Sequence, residues 1–366
     1  MKNVKAVIGA NYGNEELGLM TDYFCSLAPP SEKVLNVRFN GGCQHYGHRV
    51  YSLDGEDRNH IFQHFGSGSF HRNVATYLTE DFVVNPMIFH SEYLDLSNRL
   101  GIDPMVFASP KCLVTFMQDS YISDFLHTRN PDNEILLLDA NVGARETVIR
   151  SKKDSAVTLG TLTVLGMQHF QIDIEYYDND RIEKVFGIKL TEDEKMRLND
   201  QWARVQFDQD LRFLMNHVTL VDERIFRRFN YMVFEGSLGL LRDKNCIEGM
   251  IHFYEALKHK PDFPTLTMDN TGIQNIVPYL DEQVDAEIVY VTRPYLEASR
   301  KHPLDIKKLM DRCEKDFEPV KHFAKLSYAV THMNEALKSD LMPYSDNLYL
   351  AYGPTRNDVK KVFEND

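Results

Sequence analysis

Short apolar runs alternate with glycine-bounded polar loops along this chain, and their spacing predicts alternating strands and helices. Residues 4–9 read as a buried strand, followed by the loop Gly9-Ala10-Asn11-Tyr12-Gly13. From Leu17 to Leu27 the apolar positions recur at helical spacing. Val34 to Phe39 is a second strand, and Asn40-Gly41-Gly42-Cys43-Gln44-His45-Tyr46-Gly47-His48 is the loop after it. Arg49 to Leu53 resumes an extended pattern before the turn Asp54-Gly55. His60 to Phe65 leads into another glycine loop, Gly66-Ser67-Gly68-Ser69. Asp81 to Pro86 reads as a strand stopped by its proline, Met87 to Gly101 as a helix, and Glu134 to Asp139 as a buried strand. Asp180 to Val221 is charged and amphipathic, which predicts mostly helix with the single tryptophan, Trp202, in its packed face. Asn230 to Phe234 is a strand running into Glu235-Gly236-Ser237-Leu238-Gly239, and Asp285–Thr292 and Asn347–Tyr352 are two more.

Strands that alternate with helices predict an α/β fold, a large, mostly parallel twisted sheet covered by helices. No repeat, low-complexity tract or linker divides the chain, so residues 1–366 read as one domain with a helical subregion around 180–221. That length is ample for a large core.

Charge narrows the partners. The 41 basic residues against 54 acidic give a net charge of −13, a poor match to a nucleic-acid backbone. A small phosphorylated ligand stays open, because a few amides and basic groups hold one phosphate. No apolar run approaches the ~18–20 residues of a membrane span. The opening apolar stretch is too short for a signal-peptide core. Five cysteines without CxxC spacing read as reduced thiols of a cytoplasmic protein.

Glycine loops follow the expected strands at 9–13, 40–42, 66–68, 140–143, 236–239 and 353. In open α/β sheets, ligands collect at the carboxyl ends of strands. Any α/β protein needs some glycines there, so each loop alone is a weak signal. The chain has no GxxxxGK[ST], GxGxxG or HExxH motif. His45 and His48, set in a glycine loop, are better catalytic candidates than histidines on helix faces. Asp269-Asn270-Thr271-Gly272 reads either as a turn and helix cap or as a polar ligand loop.

The order of several short motifs says more than any one of them. They are Val7 through Asp22 with Gly13-Asn14-Glu15-Glu16-Leu17-Gly18, Val37 through Gly42 with Gly47-His48, and His64 through Phe70 with Phe82 through Pro86. Asn141-Val142-Gly143 through Glu146-Thr147 with Arg150, Phe234 through Gly239, Thr267 through Gly272 and Tyr352 through Arg356 complete the series. Over some 350 residues this order resembles the adenylosuccinate synthetase family, whose fold is P-loop-related. It looks closest to the branch that includes phage 2-aminoadenylosuccinate synthetases, which would place a viral member in the host cytoplasm. The family joins aspartate to a purine nucleotide. A base removes the purine N1 proton, the 6-oxygen attacks the γ-phosphate of a nucleoside triphosphate, and the amine then displaces phosphate at C6.

The resemblance implies Mg²⁺, ATP or GTP as phosphoryl donor, a purine nucleoside monophosphate (IMP or dGMP type), L-aspartate or a related amine, and a homodimer. It makes His48 an electrophile and Asn14 the group at the catalytic position. Gly47, through its carbonyl, and Asn14 become the metal contacts. It gives nucleotide or substrate contacts to Gly13, Glu15, Gly18, Gln44, Asn141, Gly143, Arg150, Glu235, Gly236, Thr267, Asn270, Asn334, Gly353 and Pro354. Several positions depart from the family. Asn14 stands for its catalytic aspartate, Glu16 for a glycine, Leu17 for the loop lysine, Leu238 for a purine-contacting glutamine and Asn334 for a base-reading aspartate. An amide cannot accept a proton at neutral pH. The resemblance therefore implies a C–N ligase, or a non-catalytic nucleotide-binding descendant with altered loops.

Overall fold

A computed structural model describes residues 2–42, 47–53, 59–128, 157–165, 179–186, 188–249, 270–280, 283–294, 304–332 and 335–362. In chain order the strands are β1 (Lys2–Gly9), β2 (Val34–Arg38), β3 (His48–Tyr51), β4 (Asn59–Phe62), β5 (Val74–Leu78), β6 (Val83–Val84) and β7 (Val106–Ala108). They continue as β8 (Leu113–Val114), β9 (Val218–Leu220), β10 (Tyr231–Gly239), β11 (Val284–Thr292), β12 (Ala324–Val330), β13 (Asn347–Ala351) and β14 (Val359–Val362). Ten of them form one sheet in the order β14-β13-β12-β11-β1-β10-β2-β5-β7-β9. Every neighbouring pair in it is parallel except β13–β14.

The central strands are buried on both faces, which is why stretches such as Ala6-Val7-Ile8 and Ile288 to Val291 are apolar at successive positions rather than at alternate ones. Val4, Ala6 and Ile8 of β1 point into a core shared with Val37, Phe234, Ile288 and Tyr328. Val7 points the other way, into a cluster with Leu17, Met20 and Phe24 of helix α1 (Leu17–Ser26). A third cluster, around Phe62, Phe82, Phe89, Phe116 and Phe207, joins the β3–β4 hairpin to the helices beyond it.

Three expectations change. Pro86 stops no long strand: β6 is two residues, and Pro86 opens helix Pro86–Leu94, where a missing N–H costs nothing. Asn85 caps that helix by accepting from the Met87 and Ile88 amides. The block at 180–221 is helical only to His217. Val218–Leu220 form β9, an edge strand paired with β7. Trp202 is 75% exposed rather than packed, because helix Gln201–His217 buries Phe207, Leu211 and Leu214 on its other side. The strand expected at 134–139 lies outside the described residues.

Candidate active site

Because β1, β2, β10, β11, β12 and β13 run parallel, their carboxyl ends share one edge of the sheet. The loop leaving β1 crosses the end of β10 at close quarters. Gly13 has φ +99°, and a Cβ there would lie 2.7 Å from both Leu238 Cα and the Ser237 carbonyl oxygen. Only glycine allows both that conformation and that approach. A cavity of about 280 Å³ opens beside this crossing. Its walls include Tyr12, Gly13 and Asn14 from the opening loop, Gly47 and His48 at the start of β3, Ser237 and Leu238 of β10, and Arg242 and Pro354.

His48 is fixed from behind. Its Nδ1 lies 2.8 Å from Glu235 Oε1, and both side chains are buried. Glu235 is the hub of a dry polar cluster. It accepts from the Ser67 hydroxyl at 2.5 Å, the Ser67 amide at 2.9 Å and Asn36 Nδ2 at 3.1 Å. Arg38, fully buried, reaches it at 3.4 Å while donating to the Ser237 hydroxyl at 2.6 Å. Burial alone would raise the Glu235 carboxyl. Arg38, His48 and Ser67 outweigh that and hold it at about 2. An ionised Glu235 only accepts, so the His48 Nδ1 that faces it carries a proton. Burial lowers the His48 ring below its ordinary value, against the pull of Glu235.

The opening loop is organised by its own carboxylate. Glu15 is fully buried and accepts from the Tyr12 and Gly13 amides, each at 2.8 Å. Burial raises its carboxyl despite Arg293 and those two donors. Glu16 then adopts φ +63°, and the only other non-glycine residue at positive φ among the described residues is His332 at +51°. Their side chains meet at 2.7 Å, tying the opening loop to the end of β12. Leu17 turns into the apolar cluster under α1, so this loop sends no cation from that position. Gly18 presses on the site from behind, since a Cβ there would lie 2.6 Å from His48 Cβ.

Of the residues picked from sequence, Gly13, Asn14, Gly47, His48 and Pro354 meet on the cavity wall. Glu15, Gly18 and Glu235 lie behind it. Gly236 and Gly353 directly precede the wall residues Ser237 and Pro354, and Asn270 is not a wall residue. The Gly236 Cα faces Phe39, the Asn270 carbonyl accepts from Asn275, and Gly353 packs on Asp358. Gln44, Asn141, Gly143, Arg150, Thr267 and Asn334 lie outside the described residues. Sequence reasoning missed Asn36, Arg38 and Ser67 as the partners of Glu235, and Arg242 and Arg49 as wall residues. For Asn36 and Arg38 a signal existed, because two polar side chains two apart inside an apolar strand must share a buried face.

The parallel α/β sheet, its glycine loop and the cavity at its carboxyl edge sit in a chain whose sequence matches a family of nucleotide-dependent purine ligases. The chain belongs to the adenylosuccinate synthetase family, whose profile matches residues 6–246. No curated protein matches it by sequence. In structure it is similar to the fully ligated adenylosuccinate synthetase of Plasmodium falciparum, with TM-score 0.63 and 14% identity over 98% of this chain and 99% of that one. It is also similar to the cyanophage S-2L succinoaminodeoxyadenylate synthetase PurZ, bound to dGMP and to dATP as energy donor. There the TM-score is 0.54, with 12% identity over 98% of this chain and 95% of that one.

Proposed function

We propose that this protein is a nucleoside-triphosphate-dependent ligase that joins aspartate, or a related amine, to the 6-position of a purine nucleoside monophosphate. The reading is carried by one observation: His48, held from behind by Glu235, lines the same cavity as the opening loop. Asn14 leaves no carboxylate at the family's base position, so the N1 proton needs another acceptor. His48 is that acceptor, with ionised Glu235 stabilising the imidazolium that forms, as a buried carboxylate does behind a catalytic histidine. The protonated ring then donates to the phosphoryl group, which is the electrophilic part that the resemblance gives it.

Mg²⁺ is implied by the family. The Gly47 carbonyl and the Asn14 amide oxygen are hard donors on the walls of one cavity, which suits an ion held mainly by phosphate oxygens and water. When bound, it would neutralise charge on the triphosphate. ATP or GTP serves as donor and an IMP- or dGMP-type nucleotide as acceptor. Arg150 and Thr267 hold the acceptor phosphate, and the active form is a homodimer.

The second reading is a nucleotide binder without turnover. It is favoured by Glu15, whose carboxylate already takes two loop amides that a phosphate could use. The deciding measurement is phosphate release with Mg²⁺. ATP and GTP are crossed with IMP, dIMP, GMP and dGMP, with and without aspartate, and products are weighed by mass spectrometry. A nucleotide heavier by one amino acid, lost in His48→Ala, is the expected result. Nucleotide binding with no turnover anywhere in the panel would overturn it in favour of the binder.

A further inference from the structure

The turn that carries Arg242 is fastened on two sides. Gly239 ends β10, and the next turn sends Leu240 and Leu241 into buried positions, leaving the third residue on the cavity wall. The Leu241 amide donates to the Asn11 carbonyl at 2.8 Å, which fastens this turn to the opening loop. On the other side, Asp243 is engaged elsewhere, accepting from the Thr271 and Asn245 amides at 2.7 and 2.8 Å. The guanidinium lies 5.9 Å from the centre of the Tyr12 ring, facing the loop that carries Gly13 and Asn14.

The opening loop has the opposite deficiency. Its family cation is replaced by Leu17, which is buried in the core, and Glu15 and Glu16 bring two carboxylates. Arg49, the other arginine on the wall, is exposed and donates to Asn59 at 2.8 Å, so water screens it. Arg242 is the cation in the drier place. Burial pulls it down only to about 10, so it stays charged at neutral pH.

We propose that Arg242 is a catalytic residue of this pocket, gripping the non-bridging oxygens of the phosphoryl group during its transfer and so replacing the cation lost at Leu17. This rests on the ligase reading. In that step the bond from the purine 6-oxygen to the γ-phosphorus forms. The bond from that phosphorus to the β–γ bridging oxygen breaks, and its electron pair leaves with the nucleoside diphosphate. The N1 proton passes to His48. Arg242 makes and breaks no covalent bond. Its planar fork offers paired donors to charge spread over the phosphoryl oxygens, a role that an arginine fills in other phosphoryl transfers with gains of ~10³–10⁵-fold.

The test compares wild type with Arg242→Ala, Arg242→Gln and Arg242→Lys. Turnover is read as phosphate release, and affinity as calorimetric binding of ATP, GTP and inorganic tripolyphosphate. We expect kcat to fall at least ~10²-fold in the Ala and Gln variants while Tm moves little. We expect partial recovery in the Lys variant and in Arg242→Ala supplied with guanidinium. Unchanged kcat in the Ala variant overturns the proposal. So does a loss that tracks Tm and is not rescued by guanidinium, which would leave Arg242 as a prop for Tyr12. If wild type shows no turnover, the ligase reading fails and affinity decides the anion contact. Tripolyphosphate binding at least tenfold weaker in Arg242→Gln upholds it, and unchanged binding overturns it.

Discussion

The buried hub at Glu235 shows how far one side chain can be constrained. Its carboxylate collects donors from Asn36, Arg38, His48 and both the amide and hydroxyl of Ser67. Glu235→Gln keeps the shape but removes the charge that fixes the His48 proton on Nδ1. It also leaves Arg38 without its counter-charge, which for a buried pair costs about 3–5 kcal/mol. We expect phosphate release to fall by ~10²–10⁴-fold, the usual worth of a general acid–base group. Chemical denaturation should show a matching loss of stability. Normal turnover in the variant would remove His48 from the proton path. At Glu16 the expectation reverses. A non-glycine residue at φ +63° costs about 1–3 kcal/mol, and its exposed ion pair with His332 returns about 1 or less. Glu16→Gly should therefore hold or raise Tm, and it should tighten ATP or GTP binding by removing a carboxylate from the cavity wall. Weaker binding in that variant would show that Glu16 helps to seat the nucleotide. Much of this site is legible in the sequence, because the glycines at 13, 18 and 47 and the His48 and Glu235 side chains sit in short motifs. Their connections are not. Ser67 reads as part of a phosphate-sized loop, and only the three-dimensional packing turns its hydroxyl towards Glu235 instead.

Elements are legible where burial is two-sided and poorly so where a pattern is short or shared. β1, β2, β11 and β13 each carry mostly apolar, buried residues, broken by few polar ones such as Asn36 and Arg38, and end at glycine or polar loops, so their sequences suffice to place them. The apolar run of β10 ends at Phe234. The strand itself continues to Gly239 because Glu235 still pairs with Val7 and Gly239 with Gly9, a register set by β1 rather than by local sequence. β9 hides inside a helical-looking block, since three residues at a sheet edge carry too little pattern to compete with 17 helical ones before them. Helix Ile306–Phe317 also escapes the sequence reading, yet it steadies the opening loop. From it Arg312 donates to the Ala10 carbonyl and to Asn11 Oδ1, both at 2.8 Å, and pairs with Glu248. Arg312→Lys retains the charge but cannot span three acceptors with one ammonium. The expected outcome is several-fold weaker ATP or GTP binding in calorimetry, with the loop amides less well held. Unaltered affinity would mean that the loop keeps its shape without this strut.

Across the whole molecule, acidity pulls buried groups in opposite directions, and the balance can be measured. Glu235, held at about 2, contributes stability that is complete above the ordinary 4.5 and is lost as pH falls through 2. His64 is lowered by burial, and by nearby Arg38, to about 3. The unfolded chain binds that proton first, so stability is also lost as pH falls below 6.5. Asp316 works the other way. Burial raises it to about 7, against the Tyr290 hydroxyl at 2.8 Å and the Ile273 amide that donate to it. The folded chain keeps this proton longer than the unfolded one. Its contribution is therefore fully present below 3.8 and is lost as pH rises through 7. Asp316→Asn is shaped like the protonated acid and does not titrate. Wild type and variant should be about equally stable at pH 4. By pH 7.5 the variant should be the more stable by a few kcal/mol, since every tenfold change in proton affinity between the folded and unfolded chain is worth about 1.4 kcal/mol. Urea unfolding at pH 4, 5.5 and 7.5 reads this directly. Taking the difference between the two proteins cancels the background of a chain with net charge −13. A stability gap that stays the same at all three pH values would show that Asp316 does not carry a buried proton, and that its hydrogen bonds from helix Ile306–Phe317 to the turn at Ile273 hold the ionised form instead.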